Sequence, residues 1–447
     1  MKVVDVPELL RQDSLIWIGK TPSDWKYWRL KDVAYLSPSF SSIKPEEFDE
    51  CTLLPMEKVS DDGTYDTELL QPFIDISSGL NLIEAGDVII AKITPCMENG
   101  KGAFISSLPT SYAFGSTEFH VFRPTSKIDA TFLYYYTWNP IFRKYAEVNM
   151  TGAAGQKRIS SRFIKHTKIF LPPVPEQKLI SAYLDKTTAI IDKAVYVKKE
   201  QLKKLKELKK SIIYKAVTKG LDDSVKMIDS GIEWIGEVPE RWAVTRLKRT
   251  AYRVQTGTTP PTERTDFYVD GTIPWYGPAC FDKKMKLDAP QKLINESAYK
   301  EKKLRLFKKG SIFWVGIGAT IGKVGIIDEN SSCNQQVIGS ELKDSVCAEY
   351  IYYFLLHMKD EIPKIAQYTT LPIMDQEKFG YLHLSLPTYE IQQDIASFLN
   401  SKMETIFSSE EKITLQIQNL EDYKKSLIHE CVTGKRRITE NDIPEAV

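Results

Sequence analysis

Two stretches of this 447-residue chain, 176–219 and 388–433, hold neither glycine nor proline, although the whole sequence has 23 of each. That absence excludes loops there and predicts helices of roughly 65 Å at about 1.5 Å per residue. Other scarcities narrow the class. No apolar run is long enough to cross a bilayer, and Met1-Lys2-Val3-Val4-Asp5 lacks the basic-then-apolar pattern of a signal peptide, so a cytoplasmic location is expected. The six cysteines form no C-x-x-C pair and the five histidines show no ligand spacing. Reduced thiols and no structural zinc are therefore expected. The net charge of +1 lacks the basic excess of a stand-alone nucleic-acid binder. With 42% hydrophobic residues, the chain can still build substantial cores.

What is present is a duplication. At one constant offset and without a gap, Leu171-Pro172 matches Leu386-Pro387, Gln177 matches Gln392, and Tyr183-Leu184-Asp185 matches Phe398-Leu399-Asn400. Further on, Lys209-Lys210-Ser211-Ile212-Ile213 matches Lys424-Lys425-Ser426-Leu427-Ile428, and Val217-Thr218 matches Val432-Thr433. The opening of each half repeats more loosely. Trp17-Ile18-Gly19, Pro22, Trp25 and Arg29-Leu30-Lys31 return as Trp234-Ile235-Gly236, Pro239, Trp242 and Arg246-Leu247-Lys248. Each half is thus a variable body between a fixed opening and a fixed close.

The glycine-free segments carry a heptad pattern. Alternating steps of four and three from Leu184 meet Thr188, Ile191, Val195, Lys198, Leu202, Leu205, Lys209, Ile212 and Ala216. The same steps from Leu399 meet Met403, Ile406, Glu410, Ile413, Ile417, Leu420, Lys424, Leu427 and Cys431. Most of these are apolar, the signature of a coiled coil, and two such helices can bury their seams on each other. The nine lysines between Lys198 and Lys219 then read as a solvated helix face.

The bodies read as α+β. In the first, Gly86 to Ala91, Lys101 to Ile105 and Glu118 to Phe122 are predicted strands, and Thr131 to Tyr145 a helix around Pro140. In the second, Gly310 to Val315 and Lys323 to Ile327 form the matching pair, and Tyr350 to Lys359 the matching helix. Polar, glycine-bearing loops lie between: Thr94 to Lys101, Thr151 to Arg158, Gln255 to Pro261 and Gly316 to Lys323. Small residues let main chain approach a surface, while Gln, Lys, Arg and Thr suit phosphates and base edges. The candidate DNA-binding residues are Lys101, Gln156, Lys157, Arg158, Thr258, Thr259 and Lys323.

Three apparent motifs fail on inspection. Gly316-Ile317-Gly318-Ala319-Thr320-Ile321-Gly322 has one residue too many for a dinucleotide fingerprint, and strand follows it where helix is needed. It also misses a P-loop, since Val324 stands where Ser or Thr would meet magnesium. Trp138-Asn139-Pro140-Ile141-Phe142 resembles the Asn-Pro-Pro-aromatic motif of amino-methyltransferases, but Ile141 replaces the second proline, and it reads as a helix end. No catalytic or metal-binding cluster emerges.

Taken together, two variable bodies, each followed by a long proline-led helix ending Ser-Ile-Ile-Tyr-Lys-Ala-Val-Thr-Lys-Gly or Ser-Leu-Ile-His-Glu-Cys-Val-Thr-Gly-Lys, resemble the specificity subunit of type I restriction-modification systems. Trp234-Ile235-Gly236-Glu237-Val238-Pro239 and Gly318-Ala319-Thr320-Ile321-Gly322-Lys323-Val324-Gly325 resemble that family too. The first body departs from it, with Pro95 to Lys101 in place of Gly-Ala-Thr-Ile-Gly-Lys. The resemblance implies target-recognition domains at 1–172 and 223–387, each reading half of an asymmetric bipartite DNA target. It implies that helices at 173–222 and 388–447 pack as an antiparallel coiled coil, set the spacer and dock two modification subunits. Methyl transfer from S-adenosylmethionine to adenine would then occur on those partners, and ATP- and Mg2+-dependent translocation and cleavage on restriction subunits. No cofactor is expected on this chain. Rival readings are a stand-alone DNA adenine methyltransferase and a non-catalytic coiled-coil scaffold.

Overall fold

A computed structural model describes residues 21–38, 46, 49–76, 79–153, 155–281, 285–359, 361, 367–368 and 372–444. Trp17-Ile18-Gly19 and Ala154 lie outside the described residues. The chain divides into two compact units, one of residues up to 199 together with those from 415 onward, the other of residues 200–414. The division falls inside the two long helices, so each unit holds one body and a part of both helices.

The first body runs through β1 (Lys26–Arg29), β2 (Ala34–Leu36), β3 (Glu50–Leu54), β4 (Leu70–Pro72), β5 (Asn81–Ile83), β6 (Val88–Ala91), β7 (Gly102–Phe104), β8 (Ala113–Gly115) and β9 (Phe119–Pro124). Then follow α1 (Ala130–Trp138), α2 (Pro140–Val148), α3 (Ser161–His166), β10 (Lys168–Leu171) and the first long helix, α4 (Val174–Lys219). The single helix expected over Thr131 to Tyr145 is broken in two. Asn139 ends α1 and caps α2, its Oδ1 accepting from Ile141 N at 2.9 Å, and Pro140 occupies the first turn, where no amide is needed. Trp138-Asn139-Pro140 is thus a helix end.

Two four-stranded sheets, ordered β2-β9-β6-β7 and β4-β3-β8-β5, build the first body together with the two-stranded pair β1–β10. β6 explains why its sequence reads as an unbroken apolar run. Val88 and Ile90 enter the core that holds Phe132, Leu133 and Phe142 of α1 and α2, while Ile89 and Ala91 enter one with Leu54, Ile83 and Ala113 of the other sheet. The strand is covered on both faces, so alternation vanishes.

The second body repeats this plan. After a β11–β12 hairpin (Met227–Asp229, Glu237–Pro239) come β13 (Ala243–Arg246), β14 (Ala251–Thr256), β15 (Ile273–Tyr276), β16 (Lys292–Ile294), α5 (Glu296–Lys300), β17 (Ile312–Val315), β18 (Val324–Ile326), β19 (Ser332–Cys333) and β20 (Val337–Leu342). α6 (Ala348–Met358), β21 (Gln367–Tyr368), β22 (Pro372–Ile373), α7 (Gln376–Tyr381), β23 (His383–Leu386) and the second long helix, α8 (Tyr389–Val432), complete it. The sheet order β14-β20-β17-β18 matches β2-β9-β6-β7 position for position, and β13–β23 matches β1–β10. β17 divides its side chains as β6 does, Ile312 and Trp314 to one core, Phe313 and Val315 to another.

The helix pattern holds. None of the heptad positions counted from Leu184 or Leu399 is exposed, and the polar Lys209, Glu410 and Lys424 among them are paired. In the first unit Lys424 Nζ lies 2.7 Å from Asp192 Oδ2 and Lys199 Nζ lies 3.2 Å from Glu421 Oε1. Rising numbers on one helix meet falling numbers on the other, so the pair is antiparallel there. In the second unit Lys209 Nζ is 4.0 Å from Glu410 Oε2, and its ammonium sits over the Phe407 ring. Each body packs the closing phrase of the other half's helix. Leu427, Ile428, Cys431 and Val432 share the first body's core, whereas Ile213, Ala216 and Val217 share the second's. Gly434 faces Pro22 and Trp25 as Gly220 faces Trp242, which accounts for the repetition of both phrases. After α8 the chain folds back on the first unit, where Arg437 pairs with Asp24 and Glu176. Among the described residues no helix is long and apolar enough to cross a membrane.

Candidate nucleic-acid interface

In the first body three connections converge beyond β6 and β9. Thr94 N donates to Lys157 O at 2.9 Å, Ile159 N to Lys92 O at 2.9 Å, and Lys92 N to Glu118 O at 2.8 Å. The loop from Thr94 to Lys101 closes on itself through Lys101 N and Cys96 O, 3.0 Å apart. Arg143 clamps it from α2, donating from Nη1 to Met97 O at 3.1 Å and from Nη2 to Gly100 O at 3.2 Å. Trp138 Nε1 adds a bond to Gly100 O at 3.2 Å. Burial pushes the Arg143 guanidinium down to about 10. Among the described residues its hydrogen-bond partners are main-chain oxygens and the Met97 sulfur, with no carboxylate.

The second body brings together the same places in its own chain. Gly257 N donates to Val337 O at 2.9 Å and Thr258 N to Cys333 O at 2.8 Å. This approach is so close that a Cβ on Gly257 would lie 2.0 Å from Cys333 O, so only glycine fits. Gly316 N donates to Gln336 O at 2.8 Å. The loop then turns through Gly318 and Gly322 at φ +98° and +84°, the left-handed region. The strand Val324–Ile326 follows it, as the rejection of a dinucleotide site requires.

The seven candidate residues are not equivalent. Lys101 and Lys323 occupy matching positions, their carbonyls accepting from Ala91 N at 3.0 Å and Val315 N at 2.8 Å. Each ammonium reaches back to its own body, Lys101 Nζ to Met56 O at 2.9 Å and Lys323 Nζ to Phe281 O at 2.7 Å. Both tie their loops to the fold. Gln156 and Lys157 are exposed. Arg158 is ion-paired with Glu118, its Nη2 3.0 Å from Oε1, and that carboxylate raises its pKa. Thr258 is built into the scaffold: its carbonyl accepts from Trp275 Nε1 at 2.9 Å and its hydroxyl from Arg305 N at 3.0 Å. Thr259 Oγ1 donates to Gln335 Oε1 at 2.6 Å. Gln255 and Thr256, expected in a loop, belong to β14 instead. Their edge strand pairs with β20 from Thr256 back to Ala251, with one irregularity.

Sequence reasoning missed Glu118, Arg143, Gln335 and Gln336. Arg143 gave no local signal, since a lone arginine in an aromatic helix announces nothing. Asn334-Gln335-Gln336, three amides directly before an apolar strand, was the available clue. Together the convergent loops present hydroxyls, amides and a guanidinium with few free carboxylates, a surface able to meet phosphates and base edges.

Comparison with known proteins agrees with this arrangement. The family described as type I restriction modification DNA specificity domain matches twice, over residues 22–206 and 239–419. The EcoAI type I restriction enzyme specificity subunit of Escherichia coli is 36% identical over 162 residues, which are 36% of this chain and only 27% of that subunit. A putative type I restriction enzyme specificity subunit, MjaX, of Methanocaldococcus jannaschii is 24% identical over 94% of this chain and 96% of its own length. A solved structure from work on complex assembly and conformational transition of the type I R-M system shares the fold, with TM-score 0.74 and 16% identity over 93% of this chain and all of that one. The chain belongs to the type I restriction modification DNA specificity domain family and carries two copies of the domain.

Proposed function

We propose that this chain is the sequence-specificity subunit of a type I restriction-modification complex and has no catalytic activity of its own. Each body reads one half of an asymmetric, bipartite duplex target. The long helices set the distance between half-sites, on the scale of about one helical turn, roughly 34 Å, and dock two modification subunits. S-adenosylmethionine binds those subunits, and ATP and Mg2+ the restriction and translocase subunits. The partners also supply much of the sequence-independent attraction to phosphates, which suits a chain of net charge +1.

The observation that carries this reading is the contrast between frame and loops. Strand order and helix contacts repeat between the bodies, whereas the side chains on the convergent loops differ. A scaffold has no use for varied heads on an invariant frame; a reader of two different words does. Exposed Lys157 and the Arg158 fork in the first body, and Thr259 with its glutamine partner in the second, are the groups nearest such a task.

The test compares the purified chain with the chain co-expressed alongside its modification subunit. The chain alone is expected to transfer no methyl group from S-adenosylmethionine to DNA. The assembled complex is expected to methylate adenines in one two-part sequence. Methylation by the chain alone would make it an enzyme, and unselective methylation by the complex would make it a scaffold.

A further inference from the structure

A three-residue connection leaves one sheet and enters the other between β8 and β9, and again between β19 and β20. Its main chain is held identically in both bodies. Ser116 N donates to Leu54 O at 3.2 Å, and Asn334 N to Tyr276 O at 3.0 Å. Glu118 O accepts from Lys92 N at 2.8 Å, and Gln336 O from Gly316 N at 2.8 Å. Phe119 N closes on Ser116 O at 3.1 Å, and Val337 N on Asn334 O at 3.2 Å. Even the first side chain repeats its part. Glu118 N donates to Ser116 Oγ at 3.2 Å, and Gln336 N to Asn334 Oδ1 at 3.0 Å. Only the chemistry displayed changes: Ser116-Thr117-Glu118 in one body, Asn334-Gln335-Gln336 in the other.

In the second body this turn edges an open cleft of about 340 Å3, walled by Asn334, Gln336, Gln291 and Thr320. Gln335 and Gln336 are exposed. The Thr259 hydroxyl fixes Gln335 Oε1, and Asn334 Nδ2 donates to Gln336 Oε1 at 3.2 Å. Among the described residues neither glutamine NH2 group has an acceptor, and each Oε1 keeps a lone pair. An oriented amide of this kind matches N6 and N7 of adenine.

In the first body the matching position is Glu118, which holds Arg158 through Nε at 3.0 Å and Nη2 at 3.0 Å, while Nη1 donates to Gln156 O at 3.2 Å. A guanidinium has five N–H groups, so among the described residues one on each Nη has no acceptor. That end-on fork matches O6 and N7 of guanine.

We propose that this turn organises the base-reading element of each body, with its own Gln335 and Gln336 selecting an adenine in one half-site and Arg158, held against it by Glu118, selecting a guanine in the other. The proposal rests on the functional reading above and deepens it. It replaces a uniform basic surface with two dissimilar readers on one backbone frame.

The experiment uses the full chain co-expressed with its modification subunit and maps methylated adenines across a genome and a randomised duplex library. The double variant Gln335→Ala, Gln336→Ala is expected to lose preference for adenine at one position of one half-site, by roughly 5- to 150-fold. Arg158→Lys keeps the charge but removes the fork, and is expected to relax a guanine in the other half-site only. Thr259→Ala, which frees the Gln335 amide, is expected to give a smaller loss at the adenine and keeps the test open should the double variant fail to assemble. Assembled variants with unchanged base preference, or with losses spread over both half-sites, overturn the proposal while leaving the functional reading intact. A wild-type complex without sequence selection overturns both.

Discussion

His120 is 3% exposed, with Nε2 2.9 Å from Ile159 O. Burial pushes its pKa down to about 4, because a second proton would place a charge in the core. The native ring stays neutral while the unfolded chain takes up a proton near pH 6.5. The unfolded state therefore binds more protons between those values, and stability falls as pH drops from about 6.5 to 4. His429, also pushed down to about 4, chiefly by burial and next by Lys435, adds to the same slope. The first unit is expected to lose on the order of 3 kcal/mol over that window through His120, and His120→Gln to flatten the slope in urea titrations run at successive pH values. Arg143 makes a separate residue-scale prediction. Its side chain bonds Thr137 O at 2.7 Å as well as Met97 O and Gly100 O, so Arg143→Leu strips Thr137 O of that bond and leaves Met97 O and Gly100 O with only Gly100 N and Trp138 Nε1 as donors. A loss of about 3 kcal/mol in urea unfolding is expected, with the loop from Thr94 to Lys101 more open to proteolysis.

The two long helices are anchored by a duplicated glutamine near their starts. Gln177 Oε1 accepts from Asp129 N at 2.8 Å, while Nε2 donates to Lys127 O at 3.0 Å and Pro172 O at 2.9 Å. Gln392 Oε1 accepts from Cys347 N at 2.9 Å, and Nε2 donates to Pro387 O at 2.9 Å. Each side chain binds the residue preceding a body helix, α1 or α6, to the proline turn that opens a long helix. Truncation strands three main-chain groups in one case and two in the other, at about 1–3 kcal/mol each. Gln177→Ala is therefore expected to lower stability more than Gln392→Ala in matched denaturant melts; the reverse order would contradict this account. Neighbouring tyrosines repeat the theme, Tyr135 donating to Asp185 and Tyr353 to Asn400, both at 2.7 Å. Along the seam, Leu399 is fully buried, and Leu399→Ala is expected to cost about 2–5 kcal/mol in the same assay.

For the whole molecule, the proposed function makes helix length a specification of spacing. Removing seven residues from α4 preserves the heptad phase. The expected outcome is an altered distance between methylated half-sites, or loss of assembly, with the bases of each half-site unchanged. Methylation mapping reads both quantities, and a rewritten half-site would contradict the division of labour between helices and bodies. The reuse of each helix's closing phrase by the opposite body follows the same logic. Gly220 against Trp242 and Gly434 against Pro22 and Trp25 are one contact made twice.

What the linear chain determined by itself was periodic or repeated. The seam from Leu184 and from Leu399, the glycine-free spans and the duplicated phrases follow from spacing, because a helix face recurs every three to four residues wherever it lies. Strands β6 and β17 were legible instead as short apolar runs beside glycine, since both of their faces are buried. Tertiary structure alone decided which polar groups remain available. Lys101 and Lys323 looked like free cations in sequence, yet carbonyls of Met56 and Phe281, far away along the chain, take up their ammonium groups. Glu118 and Arg158 looked unrelated until the return of the chain from α2 brought them within 3.0 Å. Hydrogen-bond partners depend on distance in space, which local spacing does not encode, and that is why the long helices could be read from the sequence and the state of the loop side chains only from the fold.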